Sequence, residues 1–120
     1  MGKNIEYIHV GQIVAYCEQV NAGTKLCAQM MFHSKYMTVI KNAIRTEKCK
    51  AVYFNEGKNF KNVFIYKYDS VRFLIYELVK WSKKNKPDVI EIWATGKIFG
   101  YSDCEILRFL KKHGYLCKDN

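Results

Sequence analysis

Proline is nearly absent from this chain of 120 residues, with Pro87 the single example, and no Gly/Ser tract or low-complexity run interrupts it. That leaves nowhere for a flexible linker, so the sequence reads as one domain over 1–120. No stretch of about 18 apolar residues occurs, which removes a membrane-spanning helix from the expectation. No apolar run follows a basic start, so no secretory signal is expected, and Glu6 breaks the myristoylation pattern that Met1-Gly2 would open. The five cysteines, at 17, 27, 49, 104 and 117, are odd in number and contain no C-x-x-C. They read as reduced thiols of a cytoplasmic protein, mostly buried, with no disulfide framework. Glycine is too sparse for a phosphate-cradling loop: "NEGKNF" has only Gly57.

Acidic residues are also scarce. Twenty Lys and Arg face eleven Asp and Glu, a net charge of +9. Residues 58–120 carry thirteen basic and seven acidic residues, a net of +6, and residues 1–57 carry +3. A surplus of this size draws a small domain toward polyanions without naming one. Aromatic residues are abundant, with nine Tyr, seven Phe and two Trp. A chain of this length and composition builds a core without staples, burying about two thirds of its unfolded surface.

The pattern predicts an α+β fold in which several helices pack on a small antiparallel β-hairpin or sheet. A helical N-terminal part spans 1–48, a hairpin 50–68 and C-terminal helices 69–114. "NIEYIHV" reads as a short strand. Ile13, Val14, Cys17 and Val20 then fall at helical spacing. Thr24 is placed to cap a short helix reaching Met31 or Phe32, and Ser34 to cap the next, whose apolar stripe is Tyr36, Met37, Ile40, Ala43 and Ile44. Ala51–Phe54 and Val63–Tyr68 are β-rich runs around an Asn-Glu-Gly-Lys-Asn turn. "DSVRFLIYELVKWSKKN" is a helix buried through Val71, Leu74, Ile75, Leu78 and Val79. Its terminal lysines, Lys80, Lys83 and Lys84, suit the helix dipole. Pro87 opens a helix that runs to about Phe99. Gly100 ends it with positive φ, and Ser102-Asp-Cys-Glu105 opens the last helix as a capping box. Gly114 closes that helix.

The segment from Gly96 to Tyr115 resembles a helix-turn-helix element. Gly96 is small where the two helices approach, Gly100 lies at the bend, Phe99 and Tyr101 flank it, and Ile106 and Phe109 are spaced to lock the second helix onto the first. This likeness covers about 20 residues. It implies a recognition helix from Ser102 to about Lys112 that contacts duplex DNA. Arg108 is then the candidate for guanine O6 and N7, and Lys111, Lys112 and Lys97 for phosphates. Ser102 and the basic end formed by Lys83 and Lys84 complete the expected nucleic-acid-binding set. Asp103 and Glu105 oppose this reading, because carboxylates at the leading end of such a helix repel phosphate.

The block "GKIFGYSDCEILRFL" also resembles segments of small uncharacterised phage and mobile-element proteins. That resemblance implies a host-directed accessory role: an inhibitor that binds a host protein or nucleoprotein, for example in counter-defence, in the manner of an anti-CRISPR. Neither reading requires catalysis, a metal or a cofactor, and a homodimer is compatible with both. His113 and Cys117 have the i, i+4 spacing of two metal ligands, but Gly114 stands between them. Glu56-Gly-Lys58 has the spacing of a nuclease Glu-x-Lys, yet no Asp precedes Asp69 to complete it. Phe64, Tyr66 and Tyr68 share one strand face beside Lys58, Lys61 and Lys67. Exposed, that face would stack unpaired bases; covered, it is core, and the covered reading is preferred.

Overall fold

The computed structural model describes residues 2–116. Among the described residues five helices and a three-stranded antiparallel sheet form an α+β fold: α1 (Gly2–Ala22), β1 (Cys27–His33), a 3₁₀ turn (Ser34–Tyr36), α2 (Met37–Thr46), β2 (Lys50–Glu56), β3 (Phe60–Tyr66), α3 (Asp69–Ser82), α4 (Val89–Ile98) and α5 (Asp103–Lys112). The strand order is β1-β3-β2, so the last strand in sequence is central. Cys27 pairs with Tyr66 and His33 with Phe60 on one edge, while Lys50 pairs with Tyr66 and Glu56 with Phe60 on the other.

Helices cover both faces of this sheet. Ile13, Cys17 and Val20 of α1 and Ile40 and Ile44 of α2 pack with Ala28, Met30, Phe32, Val63 and Ile65. On the opposite face Val71, Ile75 and Leu78 of α3 and Ile98 of α4 pack with Cys27, Val52, Phe64 and Tyr66. Two covered faces explain why "NVFIY" is a near-continuous apolar run instead of an alternating one. The aromatic face of β3 is core: Phe64 and Tyr66 are buried, and only Tyr68, beyond the strand, is exposed.

The hairpin and the α3 stripe stand as expected, except that Leu74 is exposed. Two N-terminal expectations are overturned. "NIEYIHV" lies within the 21-residue α1, extending toward the N-terminus the helix whose Ile13, Cys17 and Val20 pack on the sheet. Ile5, Tyr7 and Ile8 are exposed, Tyr7 by 73%, and the His9 and Tyr36 rings meet edge-on with centroids 4.9 Å apart. The segment expected as a short helix after Thr24 is β1. Its Cys, Ala, Gln and Met residues have good or middling helix propensity, but the free edge of β3 offers a full ladder of backbone partners, and that tertiary pairing prevails. Before α2, the cap of the 3₁₀ turn is His33, whose Nδ1 accepts from the Lys35 amide at 3.1 Å, and Ser34 lies within the turn.

Candidate nucleic-acid interface

The α4–α5 corner is built as the glycine pattern implies. Gly100 has φ 84°, the Gly100 amide donates to the Lys97 carbonyl, and the Tyr101 amide donates to the Gly96 carbonyl at 2.8 Å. This pair of bonds is a Schellman ending, which satisfies the last carbonyls of α4. Gly114 ends α5 in the same way, through Tyr115 to Leu110 and Gly114 to Lys111. A Cβ on Gly100 would stand 2.7 Å from the Thr24 carbonyl oxygen, so the bend rests against the approach to β1. Lys25 fastens it there, donating from Nζ to the Phe99 carbonyl at 2.9 Å, while the Leu26 amide donates to the Ile98 carbonyl.

The packing differs from expectation in two places. Ile106 and Leu110 are the buried residues of α5, whereas Phe109 is 48% exposed and lies 4.2 Å, ring to ring, from His113. Of the two residues flanking the bend, Phe99 packs against Phe64, but Tyr101 is exposed. The capping box also lies elsewhere. At Asp88, the carboxylate accepts from the Glu91 amide and Glu91 accepts from the Asp88 amide, both at 2.9 Å. At Ser102, the hydroxyl accepts from the Glu105 amide at 3.2 Å, but the Glu105 carboxylate accepts from the Ser102 hydroxyl, not from its amide. The Ser102 hydroxyl is thus committed to capping.

The expected basic residues separate into three groups. Arg108, Lys111 and Lys112 are spaced i, i+3, i+4 on the side of α5 away from Ile106 and Leu110, all exposed and forming no ion pair among the described residues. Lys97 and Lys84 are paired. Lys97 meets Asp103 across the corner and lies over the Trp93 ring. Lys84 donates to Glu91 Oε2 at 2.6 Å, and that bond raises the lysine's pKa. Lys83 lies apart, lining a cleft of about 370 Å³ over the sheet with Gln29, Glu56 and Asn62. Asp103, which opposed a phosphate-facing helix, is therefore turned to Lys97 and neutralised there.

Sequence reasoning missed a larger feature. A cleft of about 500 Å³ opens between α3, α4 and α5, walled by Trp81, Tyr101, Ile106 and Phe109. The aromatic residues at the bend were its signal, but their convergence depends on the angle between helices.

The thiols behave as buried hydrophobes. Burial pushes Cys17 and Cys27 up to about 12, while Cys104 is exposed on α5. Cys117, spaced to pair with His113, lies outside the described residues. Among the described residues no group of three or more His, Cys, Asp or Glu is placed to hold a metal ion, and no helix is long and apolar enough to cross a membrane. Gly57, with φ 68°, occupies the hairpin turn, so Glu56-Gly-Lys58 does not lie along a strand. No family model, no curated protein and no solved structure significantly matches this chain.

Proposed function

We propose that this protein binds nucleic acid without catalysing a reaction, and that it holds the phosphates of duplex DNA with the outward face of α5. The observation that carries this reading is the alignment of Arg108, Lys111 and Lys112 on one exposed face beside the Gly100 bend. Lysine and arginine that are already paired contribute little to counterion release; these three are available for it. The pairing of Lys97 with Asp103 favours the reading, since it offsets one of the two carboxylates that oppose it; Glu105, bonded to the Ser102 hydroxyl, is the other. Ser102 acts by capping the helix, and Lys84 is occupied by Glu91. The test is a titration with duplex DNA at two salt concentrations. Removing one side chain that neutralises a phosphate lowers the slope of log affinity against log salt by about 0.9. Arg108→Ala, Lys111→Ala and Lys112→Ala should each weaken binding. Unchanged binding in all three, or none by the wild type, ends the proposal.

The second reading is a host-directed inhibitor that binds a host protein or nucleoprotein. Phe73 on α3 and Ile90 on α4 favour it, because both are large apolar side chains left mostly in solvent. Pulldown from host lysate, repeated after nuclease treatment, separates the two. Loss of all captured material supports DNA binding, and retention of one protein supports the inhibitor.

A further inference from the structure

The cleft between α3, α4 and α5 combines size, aromatic walls and an inverted charge. Its volume of about 500 Å³ lies in the range of small-molecule sites. Trp81 comes from α3, Tyr101 from the bend, and Phe109 from α5. In a chain of net charge +9, the charged residues lining this space are Glu91 and Glu105, and no Lys or Arg among the described residues joins them.

The two carboxylates differ. Glu91 is only 8% exposed, and both of its oxygens are engaged, Oε1 by the Asp88 amide and Oε2 by Lys84. Its charge is compensated, and it serves to pin the start of α4. Glu105 accepts from the Ser102 hydroxyl at 3.0 Å and forms no ion pair among the described residues. A carboxylate without an ion-pair partner, lining a cleft with three aromatic rings, is an arrangement suited to an organic cation. The ring faces carry negative potential, and the apolar walls accept the hydrocarbon part. A phosphate or carboxylate ligand would meet repulsion there instead.

We infer that this cleft is a binding site for a small hydrophobic cation, an amine bearing an aromatic or alkyl body, with Glu105 facing the ammonium and Trp81, Tyr101 and Phe109 enclosing it. Glu105 and Phe109 come from the same helix as Arg108, Lys111 and Lys112, but the inference does not rest on DNA binding.

The test uses three ligands of matched shape on the full chain: 4-phenylbutylammonium, 4-phenylbutanol and 4-phenylbutyrate. Binding is followed by NMR through the Trp81 indole, the Thr95 amide and the Phe109 amide at fixed ionic strength. The ammonium should bind roughly tenfold more tightly than the alcohol, and the butyrate should bind weakest. Glu105→Gln, which keeps an oxygen to accept from Ser102, should bring the ammonium down to the alcohol's affinity. Phe109→Ala, at a half-exposed position, should weaken the ammonium and the alcohol together. Equal affinity for ammonium and alcohol in the wild type assigns the cleft to neutral apolar groups, including a partner's side chains, and overturns the proposal. So does an absence of shifts at these three residues. The wild-type comparison needs no variant to fold.

Discussion

Ile106 occupies the space that a side chain on Gly96 would need. A Cβ at that position would lie 2.6 Å from Ile106 Cγ1 and 2.8 Å from its Cδ1. The bare backbone of α4 is thus the surface onto which α5 docks, and the corner tolerates no methyl group there without displacement. Gly96→Ala should destabilise the fold by about 1–3 kcal/mol despite the better helix propensity of alanine. Ile106→Ala should destabilise it too, through the cavity it leaves. The double variant should cost less than the sum, and a double-mutant cycle by urea denaturation measures that coupling.

Lys97 and Asp103 supply a prediction about the proposed interface. Asp103→Asn removes a carboxylate near the N-terminus of α5 and releases a lysine close to the bend. Affinity for duplex DNA should rise several-fold at low salt and the gain should shrink as salt is added. Lys97→Ala should weaken binding less than Lys111→Ala, because Lys97 is already paired. Fluorescence anisotropy across a salt series checks both.

Lys48 is the one non-glycine residue with positive φ, at 59°, among the described residues. It ends α2 with the same bond pattern that Gly100 and Gly114 provide elsewhere, Cys49 to Ile44 and Lys48 to Arg45. The left-handed conformation costs a side-chain-bearing residue about 1–2 kcal/mol. Lys48→Gly should relieve most of it and stabilise the protein by about 1 kcal/mol, read as a rise in the urea midpoint at unchanged m-value.

The buried thiols of Cys17 and Cys27 make stability fall in alkali. Both titrate near 9.0 when unfolded and are held at about 12 when folded, chiefly because burial disfavours the thiolate. Their neutral form is common to both states below pH 9. Above it the unfolded chain loses those protons and the folded chain keeps them, so stability declines through the window from 9 to 12. Each thiol contributes a slope of about 1.4 kcal/mol per pH unit. Cys27→Ala should remove one proton's worth of that slope in denaturation curves at pH 8, 9, 10 and 11. Alkylation mapped by mass spectrometry should label Cys104 in the native protein, and Cys17 and Cys27 only after unfolding.

Asp88 and Glu91 hold the start of α4 by reciprocal bonds, and Lys84 adds a second hydrogen bond to the Glu91 carboxylate. Asp88→Ala should cost about 1 kcal/mol in thermal or urea unfolding.

What was legible in the sequence was local. The β2–β3 hairpin, the stripe of Val71, Ile75 and Leu78, and the stops at Gly100 and Gly114 depend on spacing and turn chemistry within a few residues. β1 was hidden because Cys27–His33 has no strand preference strong enough to declare itself; it becomes a strand by pairing with Phe60–Tyr66, about thirty residues later. The start of α1 was hidden because Ile5, Tyr7 and His9 mimic a period of two. At the candidate site, the exposure of Arg108, Lys111 and Lys112 follows from helical spacing around Ile106 and Leu110. The Lys97–Asp103 ion pair and the cleft under Tyr101 do not, since both depend on how α4 and α5 cross.

Because β3 is central yet is the last strand to be synthesised, neither of its neighbours can complete its pairing until the chain has grown past Tyr66. During translation β1 emerges well before its partner, and the loop it must close is far longer than the tight hairpin that joins β2 to β3. Closing the β1–β3 connection therefore costs more chain entropy than closing the hairpin.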